Sequence, residues 1–170
     1  MPRVPYPKSD WNCREPLDAY QLVGEMTRCW FCGTRIRWIH VLVHEDHPKA
    51  RHAGKCCAQR LCHNYDATGA ETDMKNRFAR LQRFCNRERW KDSKRNPSNI
   101  WRIVDLPDSR RMRVTIYLDR QRYGVFCAML DDAEDTYAHR DRYKSQAEAM
   151  NVAFELVETA ESLTESEEEE

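Results

Sequence analysis

Cys29-Trp-Phe-Cys32-Gly33 and, 25 residues after Cys32, Gly54-Lys-Cys-Cys57-Ala58 bracket a short segment of this 170-residue chain. Two thiols separated by two residues can fold over one metal ion, because a glycine directly after them allows the positive φ that the tight turn needs. Between the cysteines, Thr34-Arg-Ile-Arg-Trp-Ile-His-Val-Leu-Val43 alternates polar with apolar or aromatic residues for part of its length, the pattern of a half-buried strand. Cys57-Ala-Gln-Arg-Leu-Cys-His63 then reads as the first turns of a helix preceded by Gly54.

A knuckle, a strand hairpin and a helix carrying the later ligand make a treble-clef zinc finger. So small a module buries little core, so zinc binding is expected to supply most of its folding free energy, roughly 10–16 kcal/mol for a structural site. Cys29 and Cys32 are the first pair of candidate ligands and Cys57 the third, at the start of the helix. The fourth position is open to His44, His40, His52, Cys56 or Cys62. Free cysteines are often small buried hydrophobes, which is the plain reading of Cys56, Cys62, Cys13, Cys85 and Cys127.

With 41% hydrophobic and 33% charged residues the chain has room for one ordinary domain or two small ones, and the charge content fits a soluble protein. No apolar run approaches the ~20 residues of a membrane span. Met-Pro-Arg-Val-Pro-Tyr-Pro-Lys8 lacks the apolar core of a signal peptide, so a cytoplasmic protein with reduced thiols is expected, and its eight cysteines read as ligands and core thiols.

The net charge of +0 hides an asymmetry: residues 29–125 carry 21 Lys and Arg against 10 Asp and Glu, whereas residues 126–170 carry 3 against 14. The basic excess peaks in a helix expected over residues 71–95. Met74, Phe78, Leu81 and Phe84 or Cys85 recur on one side, and Lys75, Arg77, Arg80, Arg83 and Arg87 fall largely on the others. Such a helix can lay guanidinium groups along a phosphate backbone, releasing counterions; a solvated arginine-rich surface is the plainer alternative.

After the loop Asn96-Pro-Ser-Asn99 the period changes. Ile100–Val104, Met112–Leu118 and Tyr123–Leu130 read as three strands joined by polar turns, followed by an acidic loop over residues 131–135. Ser145-Gln-Ala-Glu148 fits a capping box, and Ala149, Ala153, Leu156 and Val157 form the apolar stripe of a helix. Residues 161–170 are almost entirely acidic or hydroxylated and are expected to stay disordered. The expected fold is thus α+β: an N-terminal extension (1–27), a treble-clef zinc finger (28–70), a basic linking helix (71–95), a three-stranded antiparallel sheet packed on one helix (96–160), and an acidic tail.

The string Cys29-x-x-Cys32-Gly33, Ile36-x-Trp38-x-His40-x-x-x-His44-x-Asp46-x-Pro48, Gly54-x-x-Cys57-Ala58 resembles a family of small bacterial and phage proteins with a zinc-finger N-terminal half. Phe84, Arg87, Trp90, Lys91, Ser93, Arg142, Tyr143, Ser145, Glu148, Ala149 and Phe154 extend the resemblance over roughly residues 28–158. His40 and His44 fall on positions of that family, which favours His44 as the fourth ligand, while Lys55 stands where relatives are expected to carry another cysteine. The resemblance brings no activity with it.

The C-terminal half resembles more loosely the three-stranded DNA-binding domains of phage integrases, in which a sheet presents side chains such as Arg111, Arg113, Arg120 or Arg122 to bases and phosphates. His44-Glu-Asp-His47 and Cys62-His63-Asn64 faintly resemble HNH nucleases, with His47 as base and His63 and Asp46 on a magnesium-type ion, but about 15 residues between the histidines is the wrong spacing. The expected function is therefore a zinc-binding, DNA- or RNA-binding accessory protein of phage or bacterial origin, with no membrane partner. The alternatives are a protein-interaction module acting on a host enzyme and, behind it, a nuclease. Exposed arginines on the basic helix, co-linear with those of the sheet, favour nucleic acid; arginines paired with neighbouring acids favour a protein partner.

Overall fold

A computed structural model describes residues 7–14, 16–132 and 136–167, with side chains as far as Leu163. It is a mixed α+β structure whose sheets are antiparallel, with four α-helices among the described residues, and it divides into two units between Phe78 and Ala79.

The first unit contains β1 (Asn12–Cys13), β2 (Leu17–Asp18), α1 (Ala19–Val23), β3 (Thr27–Arg28), β4 (Arg35–Ile36), β5 (Trp38–His44), β6 (His47–Ala53), α2 (Lys55–Leu61) and the beginning of α3 (Ala67–Cys85). β5 pairs with β1, β2 and β6, and β3 pairs with β4 alone. The β5–β6 hairpin turns at Glu45 and Asp46, where His44 faces His47 in register. α2 follows Gly54, whose carbonyl accepts from the N–H groups of Cys57 and Ala58 at 3.0 Å. α3 is capped by Asp66, whose Oδ1 accepts from the N–H groups of Thr68 and Gly69 at 3.0 Å. Trp11, Phe31, Leu42, Ala53, Ala58 and Leu61 form the core, together with Cys29, Cys57 and Cys62.

The basic helix starts earlier and ends earlier than the sequence pattern indicates, at Ala67 and Cys85 rather than 71 and 95. Asn86 breaks it. Its side chain accepts from Glu88 N–H at 3.1 Å and caps a 3₁₀ turn over Arg87–Arg89, after which buried Trp90 donates its Nε1–H to Phe84 O at 2.9 Å.

The second unit holds β7 (Lys91–Asp92), β8 (Ile100–Asp105), β9 (Arg111–Asp119), β10 (Arg122–Met129), β11 (Thr136–Ala138) and α4 (Gln146–Glu167). The three expected strands lie at the centre of a five-stranded sheet ordered β11-β10-β9-β8-β7. The two edge strands, two and three residues long, are too short for any sequence period to reveal. Arg120 (φ 47°) and Gln121 (φ 69°) make the two-residue left-handed turn that matches the twist of the β9–β10 hairpin.

Met112, Val114 and Ile116 of β9 and Val125 and Cys127 of β10 point to one face, where Ala149, Met150, Ala153, Phe154 and Val157 of α4 pack against them. Ser145 Oγ accepts from Glu148 N–H at 3.1 Å, and Glu148 Oε2 accepts from Lys144 N–H at 2.9 Å, so the box closes one residue earlier than its usual return bond. α4 continues to Glu167, so residues 161–167 of the tail expected to be disordered are helical; residues 168–170 lie outside the described residues, as do 133–135 of the acidic loop. The helix is carried on by contacts of its own: Ser162 Oγ donates to Glu158 O at 2.9 Å, and Glu161 pairs with Arg80.

Candidate functional site

The knuckle brings three thiols together. Gly33 N–H donates to Cys29 O and Cys29 N–H to Thr34 O, both at 2.8 Å, and Gly33 takes φ +77°, the turn that curls Cys29 and Cys32 toward each other. Cys57, in the first turn of α2, supplies the third. The Sγ atoms of Cys29, Cys32 and Cys57 all lie within 4.8 Å of one another, a spacing that fits shared coordination of one metal ion such as zinc.

Their environments differ. Cys29 and Cys57 are buried, at 1% and 6% exposure, and Cys32 is exposed. The hydrogen bond between Cys32 Sγ and the Thr34 hydroxyl, 3.4 Å apart, and a bond with the Thr34 backbone lower the pKa of Cys32 to about 7, whereas burial pushes that of Cys57 up to about 12. A metal ion compensates such burial by holding the thiolate form. A cavity of about 290 Å³ opens on the cluster; its wall includes Thr34, Trp38, Lys55, Cys56 and Glu71.

His44, favoured above as fourth ligand, is not part of this cluster. Its ring packs on Trp11 at 5.2 Å between centroids, and its Nδ1 accepts from Asp46 N–H at 3.0 Å in the β5–β6 turn. His44, Asp46 and His63 instead line a polar depression of about 560 Å³. Among the described residues no three ligand atoms there come within 4.8 Å of one another. His47, the base of the nuclease alternative, bonds Lys49 O through Nδ1 at 3.0 Å and packs on Trp11 and Trp30.

The basic residues separate into two groups. On and after α3, Lys75 pairs with Glu71, Arg80 with Glu161 and Arg87 with Asp92, while Arg77 and Arg83 are exposed on the same helix. On the sheet, the face opposite α4 carries Trp101, Ile103, Arg111, Arg113, Tyr117, Arg122 and Phe126, by the alternation that buries Val114, Ile116 and Val125 on the other face. Arg111, Arg113, Arg120 and Arg122 are all exposed, Arg120 at the tip of the hairpin. Arg111 and Arg122 stand opposite Asp105 and Asp119 in register.

The centre of that face is a cation–aromatic platform that the sequence pattern did not reveal. Lys91 Nζ lies 5.1 Å and the Arg113 guanidinium 4.7 Å from the Trp101 ring centroid, and the Arg142 guanidinium lies 5.2 Å from that of Tyr117. The odd-numbered positions 101, 113 and 117 were the available signal, but Lys91 and Arg142 reach the face only through strand pairing and a folded-back loop. No helix among the described residues is long and apolar enough to cross a membrane. In comparisons with protein-family models, curated proteins and solved structures, nothing matches this chain.

Proposed function

We propose that the chain is a zinc-binding accessory protein that binds nucleic acid through the face of its second sheet. The observation that carries this is the platform of Trp101 between Lys91 and Arg113, beside Tyr117 under Arg142. Aromatic rings on which bases stack, flanked by cations that meet phosphates, are the elements of a sequence-tolerant binding surface for single strands. The first unit is then a treble-clef finger, with the β3–β4 knuckle, the β5–β6 hairpin and α2 arranged around one zinc ion on Cys29, Cys32 and Cys57.

The pairing of Lys75, Arg80 and Arg87 with acids favours a second reading for α3, as a surface for a protein partner. The two surfaces are separable. In a salt series against single- and double-stranded DNA and RNA, replacing Lys91, Arg113 and Arg142 together by Ala should reduce the salt slope for single strands by about 2, at ~0.7 per phosphate. Trp101→Ala should weaken single-strand binding by roughly 1–3 kcal/mol. Neutralising Lys75, Arg80 and Arg87 should leave the slope nearly unchanged. Absence of binding at low salt would remove the nucleic-acid function and leave the protein-partner reading.

A further inference from the structure

The three clustered thiols can supply three of the four donors that a tetrahedral zinc site takes. A purely structural zinc site is closed by a fourth protein ligand, whereas a reactive one keeps that position for an exogenous molecule. Among the described residues no fourth ligand atom joins the cluster of Cys29, Cys32 and Cys57. The space beside them, about 290 Å³, far exceeds the roughly 10–15 Å³ that one water needs. Cys56 lines the same space with an exposed side chain and is the one thiol there outside the cluster.

Glu71 also lines that space, with one partner bonded to its carboxylate and a second group facing it. Lys75 pairs with Oε1, and Oε2 lies 3.9 Å from His40 Nε2. His40 is completely buried, and its Nε2 has no hydrogen-bond partner. Nδ1 meets the Tyr65 hydroxyl at 2.9 Å. When that hydroxyl donates, the imidazole proton sits on Nε2 and faces Glu71. A fully buried polar atom left without a partner calls for an explanation, and a carboxylate that is oriented for binding provides one.

We propose that the three-cysteine centre is an open metal site. Its fourth position faces the cavity and takes water, or another small donor molecule in its place, with Glu71 accepting the hydrogen bond from the bound water and His40 acting as the positioning residue for Glu71. The ligand class follows from the wall: a donor that carries a proton suits the Glu71 carboxylate, which repels an anion locally while Arg37 and Lys55 in the same wall offset part of that charge. The proposal rests on the metal-binding reading of the cysteines and is independent of nucleic-acid binding.

The full chain loaded with cobalt(II) in place of zinc tests it, with azide and imidazole as probe ligands. The expected result is one metal per chain, a visible spectrum of three-thiolate coordination that azide shifts saturably, and the same behaviour in Cys56→Ser. Glu71→Gln should tighten azide about fivefold by removing a like charge while leaving imidazole affinity unchanged. Glu71→Asp keeps the charge, should bind azide as the parent does, and controls for folding. A four-thiolate spectrum insensitive to azide, or loss of one thiolate band in Cys56→Ser, would close the site and overturn the proposal while leaving the metal reading intact. Equal azide affinity in Glu71→Gln would remove Glu71 from the open position. A chain that takes up no cobalt would defeat both readings.

Discussion

Cys57 and Cys56 are neighbours in sequence, yet only Cys57 reaches the cluster, because the first turn of α2 directs one inward and the other to solvent. Replacing Cys29 or Cys57 by Ser should therefore release the metal and cost several of the ~10–16 kcal/mol that a structural zinc contributes. Metal content and thermal melting check this; unchanged values for both would sink the assignment. His40 gives a pH signature of its own. Burial, the largest effect, pulls its pKa below the ordinary 6.5, although Glu71 works the other way. The unfolded chain then binds a proton near pH 6.5 that the folded chain resists, so stability is full above that pH and falls as pH drops below it, at up to ~1.4 kcal/mol per pH unit. In metal-saturated protein, His40→Asn should flatten the slope of melting temperature against pH between 6.5 and 5. An unchanged slope would show that other groups set the acid limb. The spacing Cys29-x-x-Cys32 and the later Cys57 were legible in sequence because ligand spacing is a local property. The position of His44 was not, since it depends on how tightly the β5–β6 hairpin turns.

At the scale of elements, the β9–β10 pairing depends on one glycine. Gly124 stands opposite Tyr117, and a Cβ there would lie 2.4 Å from the Tyr117 ring, so the ring lies across the strand because no side chain opposes it. Gly124→Val should displace Tyr117 from beneath Arg142 and destabilise the second unit by about 1–3 kcal/mol, read as a lower melting temperature in calorimetry. A variant melting with the parent would mean that the ring moves aside freely. The three long strands were readable from alternation, and α4 from its cap and apolar stripe. The early end of α3 was not: Asn86 and Trp90 stop it through a side-chain cap and a bond to Phe84 O, and both require folded geometry.

Over the whole molecule, the opposite charges of residues 29–125 and 126–170 meet in at least one defined contact, Arg80 with Glu161. Both side chains are partly exposed, so the pair is worth only ~0–1 kcal/mol. Deleting residues 161–170, which removes six glutamates, should lower the melting temperature by no more than a few degrees and raise affinity for single-stranded nucleic acid at low salt. A large loss of stability would instead make the end of α4 part of the core. The sequence alone determined the mixed α+β class, the three cysteines as a set whose spacing is compatible with a metal ion, the central strands and the charge asymmetry, because periodicity, ligand spacing and composition act over a few residues at a time. Only the tertiary structure decided that three thiols cluster among the described residues, that Glu71 lines the cavity beside them with His40 next to Glu71, and that Lys91, Trp101, Arg113, Tyr117 and Arg142 share one face. These depend on strand register, helix ends and loop return, which bring together residues far apart in the chain and leave no local pattern to read.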